Sequence, residues 1–187
     1  MSIIVLGIGA VGVMSMQKAA IQGNNDARMI DMGNAISREW VERLRRDAMT
    51  WIPPTSVAPT PNWSTNTFLI YQIGASGAVG SYQYLTPPVA PPTGFSIAFD
   101  ILGRDYALPV PSPLPAASMP PIFCTQVRGD WIVQDQLLRA TVRVYWLRQM
   151  LAAPSGGLTC TATDAPDTNP ATTYHFVYAT TAMGPGQ

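Results

Sequence analysis

The sequence predicts an α+β fold: one long N-terminal helix packed on an antiparallel β-sheet, with proline-rich loops between the strands. Three observations lead there. Residues 1–52 contain no proline, and Pro53-Pro54 then ends any helix that precedes them. Within that stretch Met29, Met32, Ile36, Trp40, Leu44, Ala48 and Trp51 recur at three- and four-residue steps, the stripe of an amphipathic helix. Far downstream, Leu138, Ala140, Val142, Val144 and Trp146 alternate with Arg139, Thr141, Arg143 and Tyr145, the period of a half-buried antiparallel strand.

A chain of 187 residues with 47% hydrophobic content suffices for one domain with a real core. The helix takes residues 1–52, divided into an apolar segment, 1–17, and an amphipathic part, 18–52. A globular β domain with proline-rich loops takes 53–187. On the polar face of the helix Arg38 with Glu42, Glu39 with Arg43, and Glu42 with Arg46 sit at i,i+4, each pair contributing a few tenths of a kcal/mol. Around Gly23-Asn24-Asn25-Asp26 two readings stand, a break or a loosened turn within one long helix.

Strand candidates follow in chain order. They are Phe68–Ile73, rich in β-formers, then Ser81–Leu85 and Phe95–Leu102. Ile122–Val127 and Trp131–Val133 are read as pairing near the alternating strand across Gly129-Asp130, and Tyr174–Ala179 is the last strand. Of 18 prolines, the great majority lie between Pro53 and Pro121. They mark rigid extended loops, with a ligand for a groove-binding partner as the second reading.

Charged residues are only 12% of the chain and the formal net charge is zero, so nothing steers it toward nucleic acid. The stretch Ser2–Gly12 spells G-x-G-x-x-G through Gly7, Gly9 and Gly12. A dinucleotide site needs Ser2–Leu6 as a strand, Val13–Gln22 as a helix, and a short strand Ala27–Ile30 ending in the acidic Asp31. That local match is good, but no further βα alternation follows, only the helix stripe and proline-rich chain. A helix through residues 1–52 is the preferred reading, with the glycines as close-approach points and no cofactor. No basic region precedes the apolar start, and Ile3–Met16 is too short to span a bilayer.

Other chemistry is sparse. His175, the single histidine, lies in a strand pattern and reads as a surface or half-buried strand residue. No His or Cys cluster has metal-ligand spacing, and no Ser stands in a nucleophile elbow. Asp164, Asp167 and Asn169 offer a thin oxygen set for calcium; Asx-turn capping is the preferred role. Cys124 and Cys160 form either a disulfide, which export favours, or two reduced buried thiols.

The segment Ile8–Gln17, "IGAVGVMSMQ", resembles the end of the apolar helix of PilV-type minor type IV pilins. Ile8, Gly9, Gly12 and Gln17 stand at matching positions. "LLRATVRVYWLRQ", Leu137–Gln149, resembles a late strand of the same family, where Arg and Val alternate before a Trp. The likeness covers roughly the first fifty residues and this strand, and is poor over the proline-rich middle. The family's processing motif, a Gly before an aromatic residue with Glu four residues on, has no counterpart here. Alignment puts it just upstream of Met1, so the resemblance implies a truncated membrane and filament segment.

It further implies a pilin-like fold and a non-enzymatic subunit of a pilus tip or priming complex that supports assembly and adhesion. A type II secretion minor pseudopilin is the near alternative, and a small NAD-dependent oxidoreductase the alternative of another class. Implied partners are other minor pilins, the major pilin and a tip adhesin, with the inner membrane and periplasm as the location before assembly and the cell-surface pilus after it. The helix-packing interface is assigned to Ile4, Leu6, Gly9, Gly12 and Met16.

Overall fold

The computed structural model describes residues 2–49, 51, 80–85, 96–105, 121–134, 136–148, 158–164, 166–168 and 173–184. The strand candidate Phe68–Ile73 and most of the proline-rich loops lie outside them. The chain divides into two compact units, Met1–Met32 and Gly33–Gln187.

A single helix, α1 (Ser2–Ala48), contributes to both. It is continuous through Gly23–Asp26, which settles that region as helix. It stops at Ala48, a few residues short of the expected Ile52, and Trp51 N–H closes the end on Ala48 C=O at 3.0 Å. In the first unit, residues 12–28 are exposed throughout.

The second unit holds four antiparallel strands in the order of the chain: β1 (Ala98–Phe99), β2 (Phe123–Val133), β3 (Leu137–Leu147) and β4 (Tyr174–Met183). The two segments expected near the alternating strand do pair with it, but as one unbroken strand, β2, that runs through Gly129-Asp130. Gly129 pairs with Ala140 and Asp130 with Arg139 in the ladder, and the Asp130 carboxylate is held by Arg128 and Arg139. The reversal comes later, after Val133, where Gln136 N–H reaches Val133 C=O at 3.1 Å. Phe95–Leu102 shrinks to the two residues of β1 because Asp100 starts a turn: its carboxylate accepts the Leu102 and Arg104 amides at 2.8 and 2.9 Å. Ser81–Leu85 is no regular strand; it meets β2 through one bridge, Gln83 to Val127. β4 runs four residues past the expected Ala179, to Met183.

The last turns of α1 cover one face of this sheet. Ile36, Trp40, Leu44 and Ala48 are fully buried, as are Leu138, Ala140, Val142 and Val144 of β3. Burial of such side chains stabilises by about 1.5–3 kcal/mol each. Gly33 marks the closest approach: a Cβ there would lie 2.9 Å from Trp146 Cζ3, and Trp146 is 3% exposed. Arg43 is buried rather than on a solvated charged face. Its guanidinium lies over the Trp40 and Phe99 rings, 5.3 and 5.8 Å from their centroids, and pairs with Glu39 and with Asp105. Glu42 pairs with Arg45 one turn on, at 2.8 Å.

Two glycines of one helix therefore respond oppositely to the same change. A Cβ on Gly23 would meet nothing within 4 Å, so Gly23→Ala stabilises the helix by about 0.5–1 kcal/mol through propensity. Gly33→Ala gains the same propensity but overpacks Trp146 at about 1–3 kcal/mol, for a net loss of up to about 2 kcal/mol. Far-UV circular dichroism of helix content checks the sign at Gly23, and chemical denaturation followed by Trp fluorescence checks the sign at Gly33.

Candidate functional site

Two surfaces hold the residues singled out by the sequence. The first is the exposed part of α1. A Cβ on Gly12 would meet nothing within 4 Å, and Met16 is 76% exposed. Val13, Met14 and Ile21 are also large, apolar and exposed. Ile4, Leu6 and Gly9 lie on α1 by backbone; their side chains are outside the described residues. Gly7, Gly9 and Gly12 are all within the helix, so the strand and tight turn that a dinucleotide site requires are not formed there. Among the described residues no helix is long and apolar enough to cross a membrane.

The second surface is the sheet face away from α1. Alternation sends Arg139, Thr141, Arg143 and Tyr145 of β3 to this side, where the sequence expects a wet face. Arg143 and Tyr145 are nonetheless buried, because two irregular segments, 80–85 and the described residues of 158–164 and 166–168, lie over them. From the first segment, Tyr82 stacks on Arg143, whose guanidinium carbon is 3.8 Å from the ring centroid. The neighbouring Tyr84 hydroxyl meets that of Tyr145 at 2.6 Å. From the second segment, Asp167 receives Arg143 in a two-pronged pair, 2.6 Å to Oδ1 and 3.2 Å to Oδ2. Arg143 also donates to Gln126 on β2.

Asp164 organises the rest. Its Oδ2 accepts the Tyr145 hydroxyl at 2.9 Å and the Cys160 amide at 2.7 Å; its Oδ1 accepts the Thr159 hydroxyl and amide at 2.7 and 3.1 Å. Cys160 sits at φ +53°, a left-handed conformation unfavourable for a side-chain-bearing residue. It is held by this carboxylate and by the disulfide to Cys124, with Cα atoms 5.3 Å apart. The two cysteines are thus bridged, the first of the two states the sequence allows. Asp164 caps a turn and Asp167 is paired with the Arg143 guanidinium. Asn169 lies outside the described residues, and among the described residues no cluster of metal-ligating groups occurs.

Electrostatics make this cluster a fastener. Arg143, by hydrogen bond and charge, holds the Asp167 carboxyl below the usual carboxylate range. Burial works against the Arg143 cation, yet Asp167 outweighs it and raises the guanidinium further. Burial is the main cause that pushes the Tyr84 hydroxyl up to about 12 and the Tyr145 hydroxyl higher still. Hydroxyls so reluctant to ionise are unsuited to proton transfer near neutrality. The remaining motif residue, His175, stacks on Trp146 with ring centroids 5.4 Å apart and is half-buried, as its strand position implies. The tyrosine–arginine cluster itself is not legible in the sequence. Its signal is the Tyr82 and Tyr84 pair with the same period as Arg143 and Tyr145, but nothing in spacing alone joins segments sixty residues apart.

No protein-family model, no curated protein and no solved structure matches the chain.

Two outcomes follow for this cluster. The disulfide joins residues 36 apart in sequence, so Cys124→Ser with Cys160→Ser lowers stability by about 4 kcal/mol in the chain-entropy model, read as a shift in denaturation midpoint matched by reductant on the native protein. The titration signs oppose each other at the two ends of the pH scale. Asp167 has a depressed folded pKa, so its contribution is present above about pH 4, the unfolded value, and fades as pH falls below it. Tyr84 has a raised one, so its contribution is full below about pH 10 and fades toward pH 12. Tyrosinate absorbance against pH should show Tyr84→Phe removing a hydroxyl that ionises late, and Asp167→Asn should flatten the acid limb.

Proposed function

We propose that this protein is a minor type IV pilin, an interaction subunit that contributes its N-terminal helix to a bundle of like helices and presents its sheet unit outward. The observation that carries the reading is the character of α1. A single continuous helix exposes Val13, Met14, Met16 and Ile21 along residues 12–28 and buries its last turns against an antiparallel sheet. Exposed apolar side chains in such number on one helix call for a partner surface. Ile8, Gly9, Gly12 and Gln17 add the family's spacing, and small residues let neighbouring helices approach closely. Partners under this reading are other minor pilins, the major pilin and a tip adhesin, with the inner membrane as the site before assembly.

A pseudopilin of a type II secretion system would share this helix, and nothing in the described residues favours it. The nucleotide-dependent oxidoreductase is disfavoured by the helical backbone through Gly7, Gly9 and Gly12.

The test is filament assembly in the host. Gly12→Leu and Met16→Asp should each reduce surface filaments counted by electron microscopy by about tenfold, a coupling of about 1.4 kcal/mol. Disulfide formation and sheet content should be unchanged, since both residues belong to the first unit. Normal filament numbers in both variants contradict the reading, and so does saturable NAD binding that Gly9→Val abolishes.

A further inference from the structure

Arg143 differs from the other paired arginines in which partner is built into the fold. Asp130 is shared by Arg128 and Arg139, and there the arginines are the more exposed partners. At Arg143 the order is reversed: its side chain is 4% exposed and that of Asp167 is 66% exposed. Arg43, the other buried arginine, holds two carboxylates, Glu39 from its own helix and Asp105. Among the described residues Arg143 pairs with Asp167 alone.

The cation is positioned by contacts other than Asp167. Gln126 Oε1 accepts from both Nε and Nη2 of Arg143, the Nε bond at 2.9 Å. The guanidinium lies over the Tyr82 ring and, at 5.4 Å from its centroid, over the Phe176 ring. Nη1 and Nη2 are left as a two-pronged donor, the geometry that a carboxylate fills. The segment that brings Asp167 has attachments of its own. Asp164 holds Tyr145 and the Cys160 amide, and Cys160 is bridged to Cys124. Release of the Asp167 carboxylate leaves all of these bonds intact. Rings continue from the fork to the surface: Tyr178, more than half exposed, stacks on Phe176 at 6.1 Å and lies 6.4 Å from Tyr82.

We propose that Arg143 is a receptor for an external carboxylate on an aromatic stem, and that Asp167 is the internal carboxylate that occupies it until displaced. The fork takes the charge, and Tyr82, Phe176 and Tyr178 flank the stem. A neutral ligand would leave a buried cation without its counter-charge, which is strongly unfavourable. Tethering holds Asp167 at roughly millimolar effective concentration. An external carboxylate competes by adding the ring contact that an aspartate stem lacks. The receptor lies wholly in the second unit and is independent of filament assembly.

The probe is benzoate, titrated into the full chain in non-ionic detergent at constant ionic strength, with benzamide as the uncharged control. Binding is followed by NMR at the Tyr82 and Tyr178 ring signals and at Arg143 Nε–Hε. Asp167→Asn should bind benzoate saturably and at least about tenfold more tightly than the native protein, because the internal competitor is gone. Benzamide should not bind. Arg143→Lys added to Asp167→Asn should weaken benzoate by about tenfold or more, since an ammonium offers no fork. Acetyl-phenylalanine in a parallel titration separates the sources: tighter binding than benzoate assigns a chain terminus, weaker binding a free acid. Far-UV circular dichroism and an intact disulfide verify each fold. If Asp167→Asn does not fold, the native protein carries the test, and it should saturate with benzoate below about 100 mM, well above the tethered concentration. The proposal is overturned by no saturable benzoate binding, by an equal response to benzamide, by equal affinity in native protein and Asp167→Asn, or by affinity unchanged in Arg143→Lys.

Discussion

The sheet unit is built around β3, which is buried along one face and, on the other, at Arg143 and Tyr145. On one side Leu138, Ala140, Val142, Val144 and Trp146 are buried, Trp146 against Gly33 of α1; on the other, Arg143 and Tyr145 are roofed by two irregular segments. A strand in this position is usually apolar throughout. Here one face carries an arginine and a tyrosine, and burying them is tolerable only because their polar groups find partners. Gln126 and Asp167 take the guanidinium, and Tyr84 and Asp164 take the hydroxyl. The polar network ties down Tyr82, Tyr84, Asp164 and Asp167 of the two covering segments, and the Cys124–Cys160 bridge secures the second of them.

Why the unit is not stabilised by apolar packing alone follows from composition. With 18 prolines and 15 glycines, much of the chain offers little regular structure to bury. The apolar stripes of α1 and β3 supply the dry core, and the irregular segments are tied instead by hydrogen bonds, ion pairs and a covalent link. Such ties are directional, so they fix loop positions that an apolar contact would leave free to slide.

The helix and the central strand were legible in the sequence because each depends on a local period. Trp40 and Leu44 on one side and the Leu138-to-Trp146 alternation on the other are signals that tertiary context reinforces. The segments read on either side of Gly129-Asp130 both pair with β3, and they join into one strand: Asp130 is held by two arginines, one beside it on β2 and one across the ladder, and Gly129 pairs with Ala140. The wet face predicted for Arg143 and Tyr145 failed because its cover comes from residues about sixty positions upstream and about twenty downstream, a pairing no local window contains. The helix surface assigned to partners rests on side chains whose exposure the fold reports for Gly12 and Met16, while the reading of what they meet comes from the pattern Ile8, Gly9, Gly12 and Gln17.

Under the proposed reading α1 divides its labour: its last turns are buried in the chain's own sheet unit, while its exposed residues 12–28 await a partner surface. Amide hydrogen exchange of the full chain, in buffer and then in lipid-like micelles, tests this most directly. The account predicts that amides of residues 13–28 exchange in buffer about a hundredfold faster than those of 36–48, and slow sharply in micelles while 36–48 hardly change. Equal protection of both stretches in buffer, with no response to micelles, would contradict it.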